Sequence, residues 1–316
     1  MTGSAGTMDV LRELTPAAEA ALERHLRLAK EWMPHEYVPW GRAGEFGRDF
    51  VDSPWDPSQS TLSPIAQIAF EVNLLTEDNL PSYHREIVAA FGRDGAWGTW
   101  VHRWTAEEGR HSLCMRDYLL VTRGVDPVEL ERGRMRQVEQ SYDSRGPGGV
   151  GKTQLEVIAY VSFQELATRI SHRNTGVYTE DPTAERLLAR VAADENLHMI
   201  FYRDLMSAAL ELDPSGSVRA IAKEVTGFQM PGTGIQDFDR KARQIAKAGI
   251  YDLRIHHDEV VWPLLKKWNV FELEGLDADA EAARVELRGF LDALDGLATR
   301  YEERRRRSTE RALLAG

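Results

Sequence analysis

The chain has 316 residues, of which 42% are hydrophobic and 28% charged, and its formal net charge is −11. That is enough chain for a large core, and the acidic balance excludes a general nucleic-acid binder. No apolar run approaches the roughly 18 residues of a membrane span. One cysteine, Cys114, excludes an intramolecular disulfide and reads as a small buried hydrophobe. Met1–Thr7 leads into an acidic amphipathic segment rather than a signal or transit peptide, so the expected location is cytoplasmic.

In chain order, residues 1–9 read as a flexible end, 10–307 as one domain and 308–316 as a second flexible end. Thr15-Pro16 predicts an N-cap with proline at the first helical position, opening a helix that runs to about Trp32. Residues 33–60, rich in Pro, Gly and aromatics, predict an irregular wrap. A helix over Pro64–Phe91 follows, kinked at Pro81, whose ring crowds the carbonyl of Glu77. The next helices are expected over about 96–122, 127–143, 153–175 and 182–211. Between the second and third of these lies Arg145-Gly-Pro-Gly-Gly-Val-Gly-Lys-Thr153, which satisfies the spelling GxxxxGK[ST]. A phosphate loop needs an apolar strand to deliver it and backbone N–H groups to cradle the ligand. The upstream segment is charged and helical and Pro147 lacks the N–H, so the loop reads as a crossover. Beyond Asp213 the pattern stays helical to a last charged helix containing Arg304–Arg307, a basic run that reads first as a solvated helix end and second as a contact for an acidic partner.

The chemistry sits in two Glu-x-x-His pairs, Glu108/His111 and Glu195/His198. Residues at i and i+3 share a helix face about 5–6 Å apart. In a ferritin-like two-metal bundle each of two helices supplies such a pair and each of two others a single Glu. Glu77 and Glu165 fill those places. Glu77 precedes the turn at Gly92 by about 15 residues and Glu108 follows Gly95 by about 13, so an antiparallel hairpin brings them to similar height. Glu165 and Glu195 repeat the spacing about the turn at Pro182. Strand signals are almost absent. The expected fold is all-α, a ferritin-like di-iron four-helix bundle core with additional flanking helices.

These segments resemble a known family, the soluble acyl-acyl-carrier-protein desaturases of plants and actinobacteria. Leu-Thr-Glu77-Asp-Asn-Leu-Pro-Ser-Tyr, Trp-Thr-Ala-Glu-Glu108-Gly-Arg-His111, Ser-Phe-Gln-Glu165-Leu-Ala-Thr168-Arg-Ile-Ser-His-Arg-Asn-Thr and Ala-Ala-Asp194-Glu195-Asn-Leu-His198 match the family's metal segments in order. The likeness spans about residues 20–307. It implies two irons per chain held by Glu77, Glu108, His111, Glu165, Glu195 and His198, with Glu108 and Glu195 bridging. It also implies a threonine beside the oxygen site, here Thr168, and a tryptophan, Trp32, linked through Asp194 to a ligand histidine. The activity implied is O2-dependent introduction of a cis double bond into an acyl chain on acyl carrier protein. Electrons would come from a ferredoxin-like donor and its reductase, and the assembly would be a homodimer. The glycine-rich crossover departs from the family pattern, as do Glu86, Ile87, Ile158 and Val161, residues expected to border the acyl channel.

Cleaving an unactivated C–H bond needs an oxidant no side chain supplies, which is why a metal pair fits the motif. Thr168 reads either as a proton shuttle or as a back-bond to a helix carbonyl, and Asp194 as a carboxylate that orients a ligand histidine. Alternatives from other classes are another di-iron oxygenase on a carrier-bound substrate, an iron-storage bundle, and a carrier-protein-binding relative without turnover. Basic residues at Lys152 and Arg304–Arg307 could receive an acidic carrier.

Overall fold

A computed structural model describes residues 9–44, 54–140, 151–230, 232 and 234–315. The glycine-rich crossover before Gly151 and the end of the helix expected to reach 143 lie outside the described residues. Among the described residues there is no strand, and no helix is long and apolar enough to cross a membrane.

Four helices form the central bundle: α2 (Pro64–Glu77), α4 (Gly95–Val121), α6 (Gln154–Tyr178) and α7 (Pro182–Leu212). Each packs on its neighbours in the cyclic order α2, α4, α7, α6. Local chemistry sets their ends. Ser63 caps α2 ahead of Pro64, Thr153 and Glu156 form a reciprocal capping box on α6, and Asp181 caps α7 ahead of Pro182. Aliphatic and aromatic side chains on the inward faces are fully buried, among them Phe70, Trp100, Tyr118, Phe163, Phe201 and Tyr202. Cys114 belongs to this interior, and burial pushes its thiol up to about 12.

Flanking helices cover the bundle. α1 (Val10–Leu28) lies against α4 and α7, and α3 (Leu80–Phe91) against α4 and α6. α5 (Pro127–Gln140) and α9 (Phe238–Lys247) rest on α2. α8 (Pro214–Thr226) bridges α6 and α7 to the long α12 (Ala278–Ala315). The short helix α10 (Leu253–Ile255), a π-helical turn over His256–Val261 and α11 (Trp262–Lys267) complete the cover.

Two local readings of the sequence need correction. The first helix starts at Val10, capped by Asp9, and ends at Leu28, so Pro16 sits inside it and Trp32 lies beyond it. Pro16 is tolerated because it is only about two turns in, where its missing N–H removes a single bond, and the Thr15 hydroxyl donates to Leu11 O at 2.9 Å. The expected Pro81 kink is instead a break: α2 ends at Glu77, Asp78 and Asn79 form the join, and Pro81 is the second residue of α3. The N–H that Pro81 lacks is one that a helix's first turn leaves unpaired in any case. At the other end, α12 continues to Ala315, past residue 307.

Candidate metal centre

The bundle brings the six sequence-singled residues together in its interior. Glu77 comes from α2, Glu108 and His111 from α4, Glu165 from α6, and Glu195 and His198 from α7; all six are buried. They form two groups of potential ligands, Glu77/Glu108/His111/Glu195 and Glu108/Glu165/Glu195/His198, the ligand atoms within each lying within 4.8 Å of one another. Glu108 and Glu195 belong to both. His111 Nδ1 lies 3.2 Å from Glu108 Oε2, 3.1 Å from Glu195 Oε1 and 3.6 Å from Glu77 Oε2. His198 Nδ1 lies 2.8 Å from Glu108 Oε1 and 3.6 Å from Glu165 Oε2.

The electrostatics state what is missing. Burial raises the Glu108 carboxyl, helped by the charge of Glu195, and burial with the charge of Glu165 pushes Glu195 up to about 8. Burial opposes the charged imidazoles, yet Glu108 beside His111, and Glu107 and Glu108 beside His198, hold both well above the ordinary histidine range. Inward-facing atoms nonetheless find no hydrogen-bond partner: Glu108 Oε1, His111 Nδ1, Glu165 Oε2, Glu195 Oε1 and His198 Nδ1. Buried polar atoms are rarely left unpaired. Four carboxylates and two imidazoles converging from four helices fit two divalent cations, whose four positive charges balance the four carboxylates.

An outer ring holds these residues in place. Asp194 Oδ2 sits 3.5 Å from His111 Nε2 and accepts from Trp32 Nε1 at 2.7 Å and Arg110 Nη2 at 3.2 Å. Arg190 pairs with the other carboxylate oxygen. Burial would raise Asp194, but hydrogen bonding and the charge of His111 bring it down to about 2. Trp32, Asp194 and His111 are thus in line, as the resemblance implied. Thr168 makes the back-bond read for it, its hydroxyl reaching Gln164 O and Glu165 O, each at 3.1 Å, and it also reaches Glu195 Oε2 at 3.3 Å.

Sequence reasoning missed the other half of this ring. Glu107 Oε2 accepts from His198 Nε2 and from His25 Nε2, each at 2.9 Å, while Arg103 Nε donates to Oε1 at 2.6 Å. This arrangement mirrors Asp194. In each Glu-x-x-His pair, the carboxylate immediately before the Glu shared by both groups faces the histidine of the opposite helix. With Nε2 of His198 bonded to Glu107 and Nε2 of His111 turned toward Asp194 at 3.5 Å, Nδ1 of each histidine is left facing the ligand groups. The repeated acid–Glu-x-x-His spelling was the signal for Glu107; nothing local marks His25. His172 Nε2 donates to Glu77 Oε1 at 2.8 Å and Trp104 Nε1 to Glu165 Oε1 at 3.1 Å, so each single Glu is also held.

A cleft of about 80 Å³ between α2, α6 and α9 opens onto this centre, lined by Glu77, Thr168 and His172 with Val72, Met230, Phe238 and Tyr251 among its walls. Ile87, Ile158 and Val161, expected to border an acyl channel, are part of the main core cluster and do not line this cleft. The basic residues are partly engaged. Lys152 pairs with Glu224 and lies 4.8 Å above the Tyr160 ring, and Arg305 donates to Asp252 Oδ2 at 2.9 Å. Arg306 and Arg307, on the exposed face of α12, each lie 3.8 Å from a glutamate of the same helix, Glu310 and Glu303.

The same sequence over residues 6–314 matches the fatty acid desaturase family. It is 47% identical over 324 aligned positions to a protein of Mycobacterium tuberculosis named as a candidate acyl-acyl-carrier-protein desaturase, DesA1, covering 100% of this chain and 94% of that one. It is 31% identical over 303 positions to the chloroplastic stearoyl-acyl-carrier-protein 9-desaturase 6 of Arabidopsis thaliana, covering 89% of this chain and 73% of the relative. The fold is similar to the X-ray structure of DesA2 from M. tuberculosis H37Rv, with a TM-score of 0.70 and 30% identity over 90% of this chain and 99% of that one. With a ferritin-like bundle that gathers Glu77, Glu108, His111, Glu165, Glu195 and His198, and with this extent of likeness, the chain belongs to the fatty acid desaturase family.

Proposed function

We propose that the protein introduces a cis double bond into an acyl chain carried on acyl carrier protein, using O2 and a pair of irons. The observation that carries the proposal is the pair of four-residue ligand groups sharing Glu108 and Glu195. Glu77 and His111 would hold one iron, Glu165 and His198 the other. When bound, the irons supply the O2-derived oxidant that side chains lack, with two electrons entering from a ferredoxin-like donor.

The remaining work belongs to the chain. Glu107, bonded to His198 Nε2, holds that histidine in the tautomer that leaves Nδ1 free, and Asp194, 3.5 Å from His111 Nε2, favours the same tautomer there. His172 and Trp104 restrain the two single glutamates, limiting reorganisation as charge develops. Thr168, with its hydroxyl between a helix carbonyl and Glu195, can pass a proton toward the cleft side of the centre. The apolar cleft walls exclude water and place an alkyl chain against Glu77. Trp32, stacked at 6.4 Å on His111 and bonded to Asp194, is the proposed route for electrons from outside. A cytoplasmic homodimer completes the reading.

The test is iron reconstitution followed by turnover with acyl carrier protein thioesters, O2 and a reduced ferredoxin, with mass spectrometry of the released chain. About two irons per chain and a product lighter by two hydrogens are expected. Two irons bound without a new alkene would reject desaturation, and no more than one metal would reject the paired site.

A further inference from the structure

The helices support the six inward residues unequally, and the backbone is weakest at Glu77. Glu77 is the last residue of α2, and Pro81, which in a continuing helix would supply an N–H to the Glu77 carbonyl, has none to give. The N–H groups of the join turn back into α2, Asp78 N donating to Leu74 O at 2.9 Å and Asn79 N to Thr76 O at 3.2 Å.

A side chain from outside the bundle supplies what the backbone does not. Arg134 of α5 sets its guanidinium across both carboxylate oxygens of Asp78: Nε donates to Oδ2, and Nη2 donates to Oδ1 at 3.2 Å. Its Nη1 donates to Glu131 Oε2 at 2.8 Å, one turn earlier on α5, which steadies the fork. The helix behind it is well anchored, since Leu130 of α5 is buried in one core cluster with Phe70 and Leu74 of α2. The Asp78 side chain is only 8% exposed and that of Arg134 24%, so the pair is shielded beyond an ordinary surface pair. A two-point contact of this kind fixes geometry as well as charge.

The place of this pair in the chain gives it a role. Asp78 follows Glu77 directly, so its carboxylate and a candidate metal ligand hang on neighbouring residues of one short join. Without Arg134, Asp78 would lose its two-point counter-charge while still largely shielded from water, which is unfavourable for a carboxylate. Its way out is toward solvent, and the join would move with it.

We propose that Arg134 is a positioning residue for the candidate metal centre: by holding Asp78 to α5 it keeps the join between α2 and α3 in place, and so sets how fast the ion held by Glu77 and His111 is gained and lost. This rests on the two-metal reading above and adds to it the part of the chain that governs exchange at one of the two positions. Arg134 bonds to none of the six ligands and acts on Glu77 through the backbone.

The test is chelator-driven release from the full chain loaded with cobalt, followed by the visible spectrum after mixing. It compares wild type, Arg134→Gln, Arg134→Lys, Asp78→Asn, the combined Arg134→Gln/Asp78→Asn variant and the control Lys241→Gln. The control breaks another ion pair on α2, Lys241 Nζ to Glu71 Oε1 at 3.0 Å, farther from Glu77. Wild type and the control should release in two phases. Arg134→Gln should quicken the faster phase by about tenfold, the scale of one hydrogen bond to a charged group, and leave the slower phase unchanged. Arg134→Lys should fall between, and Arg134→Gln should add little once Asp78 is replaced by Asn, because the two side chains act as one unit. Deuterium uptake gives a second reading that needs no metal: in metal-free Arg134→Gln it should rise over residues 74–83 and stay at the wild-type level over residues 165–177. A faster phase equal to that of wild type, equal quickening of both phases, or the same quickening in Lys241→Gln overturns the assignment. So does full quickening by Arg134→Gln in the Asp78→Asn background, or unchanged uptake over residues 74–83. If wild type loads fewer than two cobalt ions, the two-metal reading fails and the exchange role with it; if it loads two and the phases do not respond to Arg134, only the role of Arg134 fails.

Discussion

Replacing Glu107 by Gln isolates the half of the outer ring that holds His198. The substitution keeps the volume but not the acceptors. Glu107 Oε2 accepts from two imidazole N–H groups at 2.9 Å, and Oε1 accepts from Arg103. A glutamine offers one oxygen and one NH2, so at least one donor meets another donor. With the NH2 on the imidazole side, His198 loses its orienting bond or moves its proton to Nδ1, the atom that faces Glu108 and Glu165. Outer-ring replacements of this kind lower metal affinity by about 10- to 100-fold, or about 1.4–2.7 kcal/mol. Cobalt titration against a competing chelator, followed by the visible spectrum, should show one of two binding steps weakened by that factor and the other unmoved. Asp194→Asn should weaken the opposite step. A Glu107→Gln titration that superimposes on wild type, or one in which both steps shift equally, would refute the idea that Glu107 acts through His198.

Replacing His198 by Gln should remove about one of two bound metals and leave the helical circular dichroism near native, whereas Asn196→Ala, on the half-buried side of α7, should keep both; elemental analysis decides. Trp32→Phe removes the 2.7 Å donor to Asp194 and should slow reduction of the iron-loaded protein by a ferredoxin-like donor without loss of iron. Equal stopped-flow reduction rates would leave Trp32 as packing. Burial and the charge of His257 push His256 down to about 4, and Tyr251 Oη lies 2.9 Å from its Nδ1. As pH falls from 6.5 to about 4, the unfolded chain takes up a proton that the folded chain refuses, so stability drops, by up to about 3 kcal/mol. His256→Gln should flatten the urea midpoint over that window, and a slope as steep as wild type's would show that the acid sensitivity lies elsewhere.

The bundle and its six inward residues were legible because helical periodicity and equal spacing to two turns are both local properties of the sequence. A carboxylate at i and an imidazole at i+3 must share a face, and 13 to 15 residues on either side of a tight turn must meet. What escaped was set by packing across helices. His25 reaches Glu107 from a helix 82 residues away, and no periodicity in α1 distinguishes it from a buried core histidine. Glu107 could have been found by comparing the two motifs, since Asp194 occupies the same place before Glu195. The break after Glu77 was read as a bend because Pro81 shows where a helix is weakened, whereas the direction in which the chain resumes depends on what α3 packs against. The start of α1 was misplaced for a related reason: Thr-Pro reads as a helix opening, but Asp9 provides an earlier cap.

The break after Glu77 gives the centre an accessible side and a sealed one. Glu165 and His198 sit mid-helix behind Trp100, Trp104 and Phe201, all nearly inaccessible to solvent. Glu77 is the last residue of its helix and borders the open cleft, with a two-residue join rather than further helical turns behind it. Its backbone can yield where that of Glu165 cannot. Traffic with the outside should therefore pass Glu77: the ion shared by Glu77 and His111 should exchange and be chelated first, and the Glu165/His198 ion should be retained longest. Loading and loss would then follow a fixed order, one that time-resolved metal release could read directly.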